Sequence, residues 1–114
     1  MSTGVKTIIY PVSDLAAAKE VFGALAGTEP DQDQPYYVAY TVDGQHIGLN
    51  PNGHKEGMTG PVAFWHVDDL DASVQLLLDR GGERVGETQQ YGNGRRVASV
   101  RDKDGNVFGF IQDA

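Results

Sequence analysis

The sequence DGNVFGFIQ, residues 104–112, repeats the pattern of DGQHIGLNP, residues 43–51. Both segments begin with an Asp-Gly turn, continue as a short apolar strand, and place a glycine five residues after the Asp, at Gly48 and Gly109. Glycine inside a strand weakens the strand and usually marks a bend, a bulge or the close approach of another group. The same unfavourable residue at the same place in two segments indicates a duplicated structural unit.

The duplication extends well beyond these turns. Residues 10–29, YPVSDLAAAKEVFGALAGTE, align with residues 65–84, WHVDDLDASVQLLLDRGGER, at an offset of 55. The offset becomes 61 at the Asp-Gly turns, so the second copy carries six additional residues. Such self-similarity is typical of two copies of one supersecondary unit. The 114 residues are predicted to form a single domain, with module one at about 1–52, a linker rich in Gly at about 53–60 and module two at about 61–114.

Both modules predict the same order of secondary structure. A β-prone apolar run comes first, at residues 6–12 and 62–67, and is followed by an Asp that can cap a helix, Asp14 or Asp69. Apolar residues then recur at helical spacing, and further β-prone segments joined by turns complete each module. This order predicts an α+β fold in which helices cover one face of mostly antiparallel sheets.

Composition limits the classes of function. The formal net charge of -7 argues against nucleic-acid binding, which needs clustered Lys and Arg, and mildly favours neutral or cationic ligands. The absence of cysteine excludes disulfides and thiolate metal sites. No apolar run is long enough to span a bilayer, and the first residues lack the apolar core of a signal peptide, so we expect a cytoplasmic protein without membrane association.

Several of these features together resemble the vicinal oxygen chelate superfamily. They are the paired β-α-β-β-β modules, the V-x-D-L sequence that opens each helix, the glycines at the helix exits and the terminal D-x-D-G-N turn. That superfamily includes glyoxalases, extradiol dioxygenases, fosfomycin-inactivating enzymes and bleomycin-resistance proteins. The resemblance covers essentially the whole chain. It implies facing curved mixed sheets around a funnel-shaped pocket, with the helices outside, and a homodimeric protein.

The resemblance also bears on metal binding. Enzymes of this superfamily usually hold a divalent metal in the funnel through His or Glu side chains on the first and last strands of each module. The corresponding positions here are Thr7 and Val62 on the first strands, and Gly48 and Gly109 on the last strands. None of them carries a strong metal ligand. The resemblance therefore implies a metal-free member without a cofactor, in which the two glycines leave open space for a ligand at the centre of the pocket.

Strand alternation, which returns side chains to the same face every second residue, gives the remaining candidates. The expected ligand-binding residues on the pocket side are Ile9, Tyr37, His46, Gly48, Asn50, Phe64, His66 and Gly109. We expect Phe64 to be the aromatic anchor and Trp65, which faces the opposite side, to lie in the core. The phase of the strand that carries Tyr36, Tyr37 and Tyr40 stays open.

Three functions remain open from the sequence. The first is a metal-independent binding protein of the bleomycin-resistance type, which sequesters an aromatic or otherwise flat compound such as an antibiotic. The second is a glyoxalase-like lyase or isomerase, either metal-free or with a displaced metal site that starts from His46 and His66. The third is a degenerate module kept for protein interaction, for which a pocket too small for any ligand is the expected sign.

Overall fold

The computed structural model of the protein describes residues 2–114, which divide into two compact units. The N unit comprises Lys6–Val62, and the C unit comprises Ala63–Ala114 together with residues 2–5. Each unit has its own helix, its own sheet region and its own hydrophobic core. This arrangement confirms the expected α+β class.

The N unit consists of one helix packed on four strands. In chain order these are β1 (Ser2–Pro11, whose first residues belong to the C unit), α1 (Leu15–Ala26), β2 (Gln32–Gln34), β3 (Tyr37–Val42) and β4 (Gln45–Asn50). The strands lie in the order β2-β3-β4-β1, and β1 runs parallel to β4 while the other neighbours are antiparallel. The unit therefore has the predicted β-α-β-β-β order.

The C unit repeats this plan with short additional strands. Its elements are β5 (Val62–Val67), α2 (Leu70–Leu78), β6 (Glu83–Arg84), β7 (Gln89–Gln90), β8 (Arg96–Arg101) and β9 (Val107–Gln112). Strand β5 is parallel to β9, β9 is antiparallel to β8, and β6 and β7 both pair with β8. The first and last strands of each copy are thus parallel neighbours. Ile9 pairs with Gly48 in the N unit, and Phe64 pairs with Gly109 in the C unit.

The two helices begin where the sequence predicts. Asp14 and Asp69 are the N-caps, and each side chain accepts a hydrogen bond at 3.1 Å from the backbone N–H three residues later. Gly27 ends α1 in the left-handed conformation, with φ of 70°. The helices are 12 and 9 residues long, and within residues 2–114 no helix is long and apolar enough to cross a membrane.

Each helix buries one face of its own sheet. In the N unit, α1 packs over the buried residues Val38, Tyr40 and Leu49. In the C unit, the buried core residues are Leu70, Val74, Ala98, Val100 and Phe110. Alternation along the strands then leaves the other face of each sheet without a helix of the same unit, and we call it the helix-free face.

Turn chemistry fixes the register of the strands that carry the two glycines. Asp43 and Gly44 both have positive φ, 50° and 79°, as a tight two-residue hairpin between β3 and β4 requires. In the turn before β9, Asp102 accepts hydrogen bonds from the backbone N–H groups of Asp104 and Asn106, at 2.9 and 2.8 Å. A further hydrogen bond from the Asn106 side chain is the main cause that lowers the pKa of Asp102.

Candidate functional site

The five expected site residues of the N unit share its helix-free face. Residues paired between adjacent strands point to the same side of a sheet, and the register therefore groups them. The side chains and glycine on this face are Thr7, Ile9, Tyr37, Ala39, Thr41, His46, Gly48 and Asn50. The phase of β3, which the sequence left open, is now fixed. Tyr37 lies on the helix-free face, whereas Tyr40 is buried under α1 and donates a hydrogen bond to the carbonyl oxygen of Lys19 at 3.2 Å.

Gly48 is required by the close approach of the Tyr37 ring. A Cβ placed on Gly48 would meet the Tyr37 hydroxyl, and would lie 2.7 Å from Cζ and 2.9 Å from Cε1 of the same ring. The expectation of open space over Gly48 is therefore wrong, because an aromatic side chain from the neighbouring strand fills that space. The Tyr37 hydroxyl also lies 3.2 Å from Nε2 of His46, and the two rings are stacked with planes 23° apart.

The C unit places an aromatic ring over its own glycine in the same way. A Cβ on Gly109 would lie 2.5 Å from Cε2 and 2.6 Å from Cγ of Phe64. Phe64 lies on the helix-free face as expected, but only 6% of its surface is exposed. The expectation of open space over Gly109 is thus wrong for the same reason, because the Phe64 ring fills that space. Both glycines allow a ring to lie against the backbone of the sheet.

His66 follows Phe64 on the same face of β5 and lies near a charged pair. Its Nδ1 is 3.9 Å from an oxygen of Asp113, too long for a hydrogen bond but close enough for charge interaction when the imidazole is protonated. The other Asp113 oxygen accepts a hydrogen bond from Nε of Arg95 at 2.6 Å. A second ion pair of the C unit joins Arg96 to Asp71. The hydrogen bond from Arg96 is the main cause of the lowered pKa of Asp71.

Asn50 has a structural role in the loop that follows β4. Its side-chain oxygen accepts a hydrogen bond from the backbone N–H of Asn52 at 2.9 Å, and its side-chain nitrogen donates to Glu56 at 2.9 Å. These contacts hold the turn that leaves the strand. Tyr37 and His46 are two polar side chains of this face that contact each other, and Ile9 is the strand partner of Gly48, over which the Tyr37 ring lies.

The residues at the superfamily's metal positions do not fit a metal. Thr7 is 2% exposed and Val62 6% exposed, and the space beside Gly48 and Gly109 is taken by the two aromatic rings. None of the four has a carboxylate, imidazole or thiolate group. Among residues 2–114, no group of three or more His, Cys, Asp or Glu side chains is arranged to hold a metal ion.

Trp65 does not lie in the core as expected. It is 37% exposed and lines an apolar groove of about 430 Å³ in the C unit, on the side of the sheet that carries α2. Leu77 of α2 lines the same groove, and the equivalent position in the N unit, 55 residues earlier, carries the larger Phe22, whose ring centroid lies 4.8 Å from that of Tyr10. The sequence carried a signal for this groove that we missed. That signal is the change from Phe22 in the first copy to the smaller Leu77 at the equivalent position of the second copy.

Comparisons with known proteins identify the fold. A family model described as the Glyoxalase/Bleomycin resistance protein/Dioxygenase superfamily matches residues 4–110. A search of curated proteins gives no significant match.

Solved structures similar to the chain cover nearly its full length. A superfamily member from Vibrio splendidus 12B01 has 21% identity and a TM-score of 0.71, and all of both chains is covered. A methylmalonyl-CoA epimerase from Mycobacterium tuberculosis has 19% identity and a TM-score of 0.69, with 99% of this chain and 89% of that chain covered. A protein described as an NAD-dependent benzaldehyde dehydrogenase from Legionella pneumophila has 16% identity and a TM-score of 0.74, with 95% and 98% covered. At these identities the likeness concerns the fold.

Proposed function

Because the chain belongs to the glyoxalase/bleomycin resistance protein/dioxygenase superfamily, we propose that it binds a small molecule on the helix-free face of its N unit, without a metal. The observation that carries the proposal is the contact between Tyr37 and His46, whose hydroxyl oxygen and Nε2 are 3.2 Å apart. Small-molecule sites combine apolar and aromatic surface with a few placed polar groups. Tyr37, His46 and the neighbouring Ile9 supply this combination on one face.

The shape of this surface favours a flat ligand. Tyr37 is held against the backbone at Gly48 and remains half-buried, so part of its ring is accessible. Aromatic rings prefer offset-stacked or edge-to-face partners. The overall charge of -7 favours a neutral or cationic compound over an anion. In this proposal the protein holds its ligand without chemistry, as in sequestration of an antibiotic.

The metal-free part of the proposal rests on the residues themselves. Thr7, Val62, Gly48 and Gly109 offer no strong ligand, and rings occupy the space beside the two glycines. Elemental analysis after exposure to zinc, nickel and manganese is the direct check. One ion retained per chain after gel filtration would contradict the metal-free assignment.

The binding role predicts that removal of one hydroxyl group weakens the complex. We expect Tyr37→Phe to reduce the affinity for a planar probe, 2-naphthylmethanol, by about fivefold. The ring that stacks on the probe stays, while the Tyr37 hydroxyl, which contacts His46 and can hydrogen-bond the probe's alcohol, is lost. Tyr36→Phe is the matched control, since Tyr36 is 62% exposed and precedes β3. The affinities of both variants are measured by titration with the probe, followed by the NMR signals of the histidine rings. The solvent-exposed His54 serves as an internal reference. Binding that leaves the His46 signal unmoved would refute the proposed site.

The Tyr37–His46 contact also favours a second candidate, proton transfer of the lyase or isomerase kind. An imidazole that contacts a phenol can take up and return a proton when a ligand with an acidic C–H lies beside it. Deuterium incorporation from D₂O into the methyl group of bound 2-acetonaphthone tests this. Incorporation that His46→Ala abolishes supports the enzyme, whereas binding without incorporation supports sequestration.

We also propose that the protein is a homodimer. Strand β2 lies at one edge of the sheet with all of its residues exposed, and an uncovered strand edge is a common site of pairing between chains. Light scattering coupled to gel filtration should therefore give a mass near twice the 12.3 kDa of one chain. A single species of 12.3 kDa at micromolar concentration would contradict the dimer.

A further inference from the structure

A second candidate ligand site lies in the C unit, on the α2 side of its sheet and therefore on the opposite face from the helix-free face of that unit. The groove has a volume of about 430 Å³, within the range of roughly 300–1,000 Å³ typical of small-molecule pockets. Its walls are mainly apolar and include Trp65, Leu76, Leu77 and Phe108. Leu76 is 53% exposed and Trp65 is 37% exposed, so the two side chains present apolar surface at the opening.

Comparison of the two copies explains why the groove exists. In the N unit, the ring of Phe22 on α1 covers Tyr10 on β1, with ring centroids 4.8 Å apart. The equivalent pair in the C unit, at the offset of 55, is Leu77 on α2 and Trp65 on β5. The strand partners are equivalent as well, because Tyr10 pairs with Leu49 and Trp65 with Phe110, 61 residues later. The C unit thus has the larger ring on the strand and the smaller side chain on the helix, and the indole remains uncovered.

The polar edge of the groove is acidic. Asp69 lies at its border, where one carboxylate oxygen caps α2 by accepting a hydrogen bond from the Ala72 N–H. A carboxylate has capacity for further donors. Of the described residues that line the groove, none is a lysine or an arginine. The nearby Arg96 is paired with Asp71 at 3.0 Å.

We propose that this groove binds a flat aromatic cation, with the ring system against Trp65 and the protonated amine at Asp69. Aromatic surface on the indole supplies the larger part of the contact, and the Asp69 carboxylate, whose charge is partly offset by the positive end of the α2 dipole, adds a modest preference for positive charge. The site uses none of the residues of the N-unit face, so it is independent of the function proposed above.

The single tryptophan of the chain makes occupancy directly observable. Its one indole N–H signal in a ¹⁵N-correlation spectrum is followed while three probes of equal ring size are added, namely 2-naphthylmethylammonium, 2-naphthylmethanol and 2-naphthoate. We expect a saturating shift with the ammonium probe, bound about threefold more tightly than the alcohol, as an exposed ion pair provides. A preference for the carboxylate, or no saturation with any probe, would overturn the proposal.

The internal duplication supplies a blocking variant and its control. Leu77→Phe places in the groove the ring that the N unit has, and should weaken the ammonium probe by roughly tenfold or more, because the ring takes the ligand's place. Phe22→Leu makes the reverse change in the N unit and should leave the Trp65 titration unchanged. A folded Leu77→Phe protein that binds as well as the parent would refute the site.

A second variant decides the matter if Leu77→Phe does not fold. Asp69→Asn keeps an N-cap residue of similar quality while it removes the charge. The ammonium probe should then lose its threefold advantage over the alcohol, and an unchanged advantage would contradict the role of Asp69. A Trp65 signal that shifts on dilution without any probe would show that a second copy of the chain covers the groove, and would overturn the proposal in favour of self-association.

Discussion

Phe64→Ala is expected to lower the free energy of unfolding by about 3–5 kcal/mol, the typical cost of truncating a buried phenylalanine. Phe64 is 6% exposed, and its ring lies across the backbone of the parallel strand at Gly109. Glycine has no side chain that could move into the space, so truncation leaves a cavity bounded by backbone. Urea denaturation followed by circular dichroism gives the difference, with the slope of the transition compared between the two proteins.

A matched aromatic residue in the same unit is the control for this change. Tyr91 is 52% exposed, and Tyr91→Ala should change the free energy of unfolding by about 0.5 kcal/mol or less. If Phe64→Ala costs no more than Tyr91→Ala, the ring does not pack against Gly109.

Strand alternation predicted the faces of β5 correctly but not the burial of its two aromatic residues. Phe64 and Trp65 lie on opposite sides of the sheet, as a period of two requires. The exposed and buried roles are the reverse of what we expected, since Phe64 is covered and Trp65 is open. Burial depends on what packs above a residue, and α2 carries a leucine at position 77 where α1 carries the larger Phe22.

For the two glycines, too, the sequence predicted one feature and left another open. Their repeated position predicted a close approach, and the structure has one at both Gly48 and Gly109. The identity of the approaching group depended on strand pairing and on the phase of β3, which three nearby tyrosines left ambiguous. Local signals were more reliable, because the caps at Asp14 and Asp69 and the hairpin at Asp43 depend only on neighbouring residues.

Gly109→Ala is expected to destabilise the protein by about 1–3 kcal/mol, as other insertions into a packed core do. The added methyl group would meet ring atoms of Phe64 at distances that real contacts do not reach, 2.5–2.6 Å for Cε2 and Cγ. Because Phe64 is buried, its ring has little room to move. In a double-mutant cycle with Phe64→Leu, the two changes should cost less together than the sum of their separate costs. Additive costs would show that the ring and the glycine do not interact.

Gly48→Ala is the matched substitution in the N unit, and it should mainly weaken ligand binding rather than stability. The clash there involves the outer end of Tyr37, which is half-buried and can rotate outward, so we expect a loss of stability of about 1 kcal/mol or less. That rotation separates the Tyr37 hydroxyl from His46, and binding of 2-naphthylmethanol should weaken at least as much as in Tyr37→Phe. Equal losses of stability in the two glycine variants, with binding unchanged in Gly48→Ala, would contradict this division. The same glycine would then serve packing alone in both copies, rather than packing in one and positioning of the ligand-binding ring in the other.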